Sequence, residues 1–332
     1  FADMVAGTFN AYTVKDGVTE LAAAAQTNGA AGSISIAFIV FAMVFGVLQK
    51  KLNLEGKSEF FVGLACTVAS LAIGMAFPLI GGKDAWTGFT FAYIFFASVL
   101  PMWLLKQPRD YMTTFMFAGM ILGAVVGIVV AHPNMNLPMY TGFTNEKLGN
   151  MFPILFVTVA CGAVSGFHSL VSSGTSSKQV EKEQDAVKVG YGAMIVESFV
   201  GILAIIVAGI MFSDMNTAGT GALNAGVAST PFQIFAAGIS RGMQAFGVDG
   251  TLATVFMTMN VSALALTSLD AVARIARTSF SEFFAQTNDA LAIESQAGYM
   301  KVLGNPWFAT VVTLLPGLAL AFGGYATIWP LF

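Results

Sequence analysis

Apolar residues in this chain gather into runs of about the length that a membrane crossing requires, separated by short polar connectors. A bilayer core of about 30 Å takes roughly 20 apolar residues of helix. Eight runs meet that pattern: Ser33 to Leu48, Ser58 to Ile80, Trp86 to Leu105, Tyr111 to Ala131, Asn150 to Leu170, Tyr191 to Phe212, Thr251 to Leu269 and Pro306 to Phe322. Charges and turn residues fall between them, as in Lys50-Lys51-Leu52-Asn53, Gly81-Gly82-Lys83-Asp84 and Lys106-Gln107-Pro108-Arg109-Asp110. The pattern predicts an all-α fold: one polytopic transmembrane helical bundle over residues 1–332, with about eight spans.

Three segments depart from it. Residues 1–32, rich in Gly, Ala and Thr, read as an external loop or a re-entrant piece, and residues 171–190 as a cytoplasmic loop. Residues 213–250 read as an external loop. Within it, Pro231 to Val248 sets Phe232, Phe235, Ala236, Ile239, Met243 and Phe246 at helical spacing, with Gln233, Ser240, Arg241 and Gln244 between them. That is an amphipathic interfacial helix, either a cap packed over the bundle or a moving gate.

Composition agrees with lipid as the solvent. Charged residues are 10% of the 332, where a soluble domain carries roughly 25%, and the mean hydropathy is +0.75. The net charge of −3 implies no nucleic-acid partner. Cys66 and Cys161 both lie in apolar runs, where a thiol is a small buried hydrophobe, so no disulfide, metal cluster or cofactor is expected. Taking alternate connectors, one side of the bundle holds eleven of the 15 basic residues and the other holds only Lys15, Lys83, Lys147 and Arg241. Cytoplasmic loops concentrate Lys and Arg, so the N-terminal segment is placed outside the cytoplasm. The chain opens at Phe1 and closes on Trp329-Pro330-Leu331-Phe332, and it reads as the middle of a longer protein.

The stretch from Cys161 to Ser177 begins as a membrane helix and then fills with Gly, Ser, Thr and one His. Irregular chain at membrane depth survives only inside protein or around a water-filled cavity. The pattern predicts a broken helix whose amides and hydroxyls face a solute, with Ser165, Gly166, His168, Ser169, Ser172, Ser173, Gly174 and Thr175 as the contacting residues. Its alternative is close packing through Gly162 and Gly166. His168 is either a proton carrier or a hydrogen-bonded core residue, while His132 stands before Pro133 at the outer end of a span. Glu197, inside an apolar run, either exchanges a proton or pairs statically with a Lys or His.

Asp270 precedes Arg274 by four residues, the spacing of an ion pair, and with Thr267 and Ser268 it is also a candidate for solute binding or gating. Arg109 and Asp110 follow Pro108 as ordinary helix-start chemistry or as a cytoplasmic gate. Gly119, Gly123 and Gly127, spaced by four, make a flat face for close helix packing.

Catalysis finds little support. The two histidines, 36 positions apart, cannot form a His-Glu-x-x-His metal helix, and no Gly-x-x-x-x-Gly-Lys-Ser/Thr loop is present to bind ATP. A serine near His168 on one helix would lack a separate orienting acid. A secondary transporter remains.

Four motifs carry a resemblance. They are Leu100-Pro101-Met102-Trp103-Leu104-Leu105-Lys106-Gln107-Pro108-Arg109-Asp110-Tyr111, the sixteen residues from Ala160 to Thr175, Gly190-Tyr191-Gly192-Ala193-Met194 with Glu197-Ser198, and Leu266-Thr267-Ser268-Leu269-Asp270. The chain resembles the carbon starvation protein A (CstA) family of bacterial inner-membrane transporters from about Ser33 onward. The resemblance implies uptake of pyruvate or of peptides during carbon limitation, driven by protons, on an inverted-repeat, amino-acid-transporter-like fold. It differs from the family pattern in lacking the Gly/Pro-rich and His-Asp-bearing helices that open it. Since the sequence places no arginine inside any span, a small carboxylate is expected on the hydroxyls and half-helix amides near Ser165 to Thr175, at mid-membrane. Peptide uptake is the alternative, and a nutrient sensor without transport ranks below it. Solute, protons and lipid are the expected partners, with homo-oligomer assembly left open.

Overall fold

A computed structural model of the chain describes residues 1–332 apart from 16–17, 23, 136, 141, 146–148, 154, 157–165, 218–230, 285–297 and 324–332. The described residues form helices α1 (Ala2–Phe9), α2 (Ala25–Leu52), α3 (Lys57–Ala76), α4 (Lys83–Val99), α5 (Lys106–Ala131), α6 (Gly166–Gly174), α7 (Glu183–Thr217), α8 (Pro231–Ala245), α9 (Gly250–Phe284), α10 (Gly298–Leu303) and α11 (Pro306–Phe322). Two short antiparallel hairpins, Tyr12–Lys15 with Val18–Leu21 and Thr144–Asn145 with Gly149–Asn150, are the β-structure among them. The fold is all-α in character, as the apolar periodicity predicts.

Five of the eight predicted spans are helices long and apolar enough to cross a membrane: Ala25–Leu52, Lys57–Ala76, Lys106–Ala131, Glu183–Met211 and Gly250–Phe284. Two are shorter. The run from Trp86 to Leu105 becomes the 17-residue α4, because Leu100 precedes Pro101 and is driven into extended backbone. The run from Pro306 to Phe322 is α11, also 17 residues, with Pro316 inside it. About half of Asn150 to Leu170 lies outside the described residues, and its end enters α6.

Element ends shift where local chemistry permits. α5 begins at Lys106, five residues ahead of the predicted span, because Pro108 sits in its first turn, where the missing N–H is no loss. α7 begins at Glu183, so the expected cytoplasmic loop over 171–190 narrows; Lys188 pairs with Asp185 across one turn at 3.1 Å. α9 continues to Phe284 and carries Arg274 and Arg277 within it. The expected loop over residues 1–32 is ordered as α1 and a hairpin, and its last eight residues belong to α2. α1 is held from both ends: Asp3 pairs with Lys83 at 2.6 Å, and Phe9 packs edge-on against Trp86.

The chain divides into two compact units, one of Phe1–Asn136 with Val200–Asp270, the other of Leu137–Phe199 with Ala271–Phe332. Apolar burial gives helices little drive to associate in lipid, so small residues and interhelical hydrogen bonds carry the packing. In the first unit α2 and α3 touch backbone to side chain: a Cβ on Gly74 would stand 2.3 Å from Ile34 Cγ1. α3 stops at Ala76, before Pro78, and the irregular chain beyond it is satisfied by α2. Ser33 Oγ donates to the Phe77 carbonyl at 2.7 Å and accepts from the Leu79 amide at 2.8 Å.

The glycine face of α5 is a packing face. A Cβ on Gly127 would lie 2.6 Å from the Gly242 carbonyl carbon in α8, one on Gly123 would meet Met243, and one on Gly119 would meet the Phe256 ring. α8 therefore runs along α5, and Ala236, Ile239 and Met243 join Met120, Ala124, Leu203, Val207, Met211, Ala253 and Met257 in a buried core. The amphipathic helix expected at Pro231 to Val248 is present, and its apolar face is turned into the bundle.

Candidate functional site

The first unit holds a cluster of charged and polar side chains where α4, α5 and α9 meet. Arg109 lies on the face of α5 that also presents Met112, Thr113 and Met116, spaced by three, four and seven residues, so it points inward with them and is only 1% exposed. The expectation that no arginine lies inside a span is thereby overturned. It rested on reading Lys106 to Asp110 as connector, and those residues are helix.

Arg109 is anchored on two other helices. Its Nη1 donates to the Tyr93 hydroxyl of α4, its guanidinium carbon stands 5.2 Å from the Tyr93 ring centroid, and its Nη2 donates to the Ala263 carbonyl of α9 at 3.1 Å. Further along the same α5–α9 seam, about 10 Å from Arg109, Asn260 donates through Nδ2 to the Met116 carbonyl. Lys106 and Asp270 are buried at 4% and 1% exposure, and Asp110 is half-buried. Lys106, Arg109 and Asp270 all act electrostatically on Asp110, and Arg109, Asp110 and Asp270 on Tyr93. Buried Lys106, Arg109 and Asp270 thus lie in one neighbourhood with half-buried Asp110, cations beside carboxylates, which makes charge more tolerable there.

Several polar atoms in this unit are buried yet make no hydrogen bond among the described residues: Arg109 Nε, Asn260 Oδ1, Ser262 Oγ and Thr267 Oγ1. Buried polar groups are almost always partnered, by protein, water or ligand. Tyr93, Lys106, Asn260 and Ala263 are functional candidates that the sequence reading passed over. A signal existed: Asn260, Thr267 and Asp270 fall within an arc of about 80° on one helix, a polar stripe along an otherwise apolar span. Asp270 and Arg274 stand one turn apart on that continuous helix, as their spacing predicts.

The serine-rich stretch belongs to the second unit. Ser165 lies outside the described residues, and Gly166 opens α6. His168, Ser169, Ser172 and Ser173 are exposed, whereas Thr175 is 3% exposed with its hydroxyl making no hydrogen bond among the described residues. Ser172 and Ser173 donate to the Ser169 carbonyl at 3.1 and 3.0 Å, so these hydroxyls turn back onto their own helix. A Cβ on Gly174 would lie 3.2 Å from Ile275. His168 and Glu197, predicted separately, come together: Nδ1 and Oε1 are 3.8 Å apart, and both side chains are more than half exposed. An exposed pair of this kind contributes about 0–1 kcal/mol to stability.

No group of three or more His, Cys, Asp or Glu side chains suited to a metal ion occurs among the described residues.

The family model for "Carbon starvation protein CstA" matches residues 1–225 and 212–332. The chain belongs to the CstA family. Among curated proteins it is 42% identical over 174 residues to the pyruvate/proton symporter BtsT of Escherichia coli (strain K12), a match covering 47% of this chain and 24% of that protein. It is 50% identical over 123 residues to the peptide transporter CstA of the same organism, covering 36% and 18%. Against the peptide transporter CstA of Mycobacterium tuberculosis (strain ATCC 25618 / H37Rv) it is 34% identical over 301 residues, covering 73% and 38%. The chain thus spans well under half the length of each of these CstA-family relatives. No solved structure matches it. Family membership and the five apolar helices make this a multi-pass membrane protein.

Proposed function

We propose that the intact protein is a secondary transporter, not an enzyme, that takes up pyruvate or a similar small carboxylate together with protons across a bacterial inner membrane during carbon starvation. The observation that carries this reading is the cluster of buried Arg109, Lys106 and Asp270 with half-buried Asp110 among apolar helices. Intramembrane ionisable groups are costly and mark solute or proton paths. The similarity to a protein named a pyruvate/proton symporter supports the solute and the coupling ion. Arg109, Asp110 and Asp270 act in gating and coupling, His168 and Glu197 serve as a proton relay, and the stretch from Ser165 to Thr175 lines the solute's route.

Peptide uptake is the second reading, favoured by the 50% identity to a protein named a peptide transporter. Uptake by the intact protein in vesicles, with an acid-outside pH gradient, separates the two. Labelled pyruvate is expected to accumulate and labelled di- and tripeptides are not, and the reverse result establishes the peptide reading. Glu197→Gln is expected to abolish the dependence on the pH gradient, and unchanged dependence returns the His168–Glu197 pair to a structural role.

A further inference from the structure

Hydroxyls inside these helices follow one habit. Thr113 on α5, and Thr254 and Thr278 on α9, each donate to the carbonyl four residues earlier at 2.8 Å, and Ser268 donates to the Leu264 carbonyl at 3.2 Å. Thr267 departs from it. Its hydroxyl is buried and makes no hydrogen bond among the described residues. The acceptor it would use by this habit is the Ala263 carbonyl, and that oxygen is the one Arg109 reaches from α5, with Nη2 donating at 3.1 Å. A carbonyl has two lone pairs. Within the continuous helix α9 one of them belongs to the amide four residues on, and Arg109 holds the other, so the Thr267 hydroxyl is shut out.

The seam between α5 and α9 is pinned in both directions by the same kind of bond. Arg109 of α5 donates to a main-chain carbonyl of α9, and Asn260 of α9 donates through Nδ2 to the Met116 carbonyl of α5. Both acceptors keep their own helix bonds when these links break, so the two helices can part without either unwinding. What opposes parting in an apolar interior is the bare acceptor left behind. For Ala263 a replacement donor is already in place. When Arg109 withdraws, rotation about Thr267 χ1 brings the hydroxyl onto that oxygen, while Arg109 keeps Tyr93 of α4 through Nη1. The closed seam leaves the Thr267 hydroxyl bare and the open seam satisfies it, so one hydrogen bond is exchanged for another across two discrete arrangements.

We propose that the Ala263 carbonyl is handed between two donors, Arg109 when the α5–α9 seam is closed and Thr267 when it is open, and that this exchange lets α9 part from α4 and α5. A transporter exposes its solute route first to one side and then to the other by moving packed helices against each other. A seam that opens without stranding the Ala263 carbonyl is suited to such a movement. The device belongs to the helices themselves and works whichever solute is carried.

The test uses the intact protein in detergent with no solute, so it stands apart from the transport reading. In the wild-type background Thr267→Val removes a hydroxyl that has no partner, and the melting temperature is expected to stay level or rise. In an Arg109→Met background the Thr267 hydroxyl bonds the vacated carbonyl, and the same Thr267→Val change is expected to lower the melting temperature by about 2 °C. An equal fall in both backgrounds overturns the exchange, since Thr267 is then bonded while Arg109 is in place. No fall in either overturns it too, since the hydroxyl then never takes the carbonyl. A second measurement leaves Arg109 intact and decides the matter if the Arg109→Met protein does not fold. With Cys66 and Cys161 replaced by serine, Met112→Cys puts a thiol on the inward face of α5, where Met112 is 0% exposed, and N-ethylmaleimide reaches it only through opening. Thr267→Val deprives the open state of its bond and is expected to slow labelling about fivefold, the equivalent of one hydrogen bond, while Thr267→Ser labels at the wild-type rate. Equal rates for valine and wild type, a serine protein as slow as the valine one, or a thiol that never labels all overturn the device.

Discussion

Tyr93 is the residue on which the geometry of the site depends most directly. Its hydroxyl is an acceptor for a guanidinium that is 1% exposed, and its ring lies within cation–π range of the same group. Tyr93→Phe keeps the ring and strands one buried N–H, a loss of about 1–3 kcal/mol. A lowered melting temperature of the detergent-purified protein is expected, with Tyr140→Phe, an exposed tyrosine, as the neutral control. Equal melting of both variants would show that the hydroxyl does not hold the arginine. The role of Arg109 could not be read from its neighbours in sequence. Pro108 and Asp110 beside it describe a helix start, and whether an arginine at such a place faces lipid headgroups or the bundle depends on one or two residues of helix phase. His168 and Glu197 were legible as separate ionisable groups in apolar context, while their approach to 3.8 Å is tertiary information.

At the scale of elements, long apolar periodicity was readable and helix ends were not. The cores of five spans follow from hydropathy alone, but α4 ends early because of Pro101, and α5, α7 and α9 run past their apolar segments because polar residues such as Glu183, Lys188 and Arg274 are themselves good helix formers. The glycine stripe of α5 is the clearest success, since the spacing predicts a close contact and the structure supplies its partners. It also predicts a gradient of tolerance. Gly127 faces the backbone of Gly242, which cannot move aside, whereas Gly119 faces the end of the Phe256 ring, which can rotate. Gly127→Ala is expected to destabilise by about 1–3 kcal/mol through overpacking, and Gly119→Ala by clearly less. Thermal unfolding of the two variants side by side decides it, and equal losses would remove the distinction between backbone and side-chain neighbours.

At the scale of the whole molecule, charge predicts an orientation in the membrane. Eleven of the 15 basic residues fall on one side when the connectors of the sequence pattern alternate; in the structure Lys83 stands at the start of α4 and Lys106 at the start of α5, while Arg109 lies within α5 and Arg274 and Arg277 within α9. Retention of Lys and Arg on the cytoplasmic side orients helices as they insert. On that rule the connector between α2 and α3, with Lys50, Lys51 and Lys57, is expected on the cytoplasmic side and the connector between α3 and α4, with Gly81 to Asp84, on the outside. Lys57 and Asp84 are both exposed and lie at opposite ends of this pair of connectors. In a background with Cys66 and Cys161 replaced by serine, Asp84→Cys is expected to react with a membrane-impermeant maleimide on intact cells, and Lys57→Cys only after permeabilisation. The reverse pattern would invert the orientation.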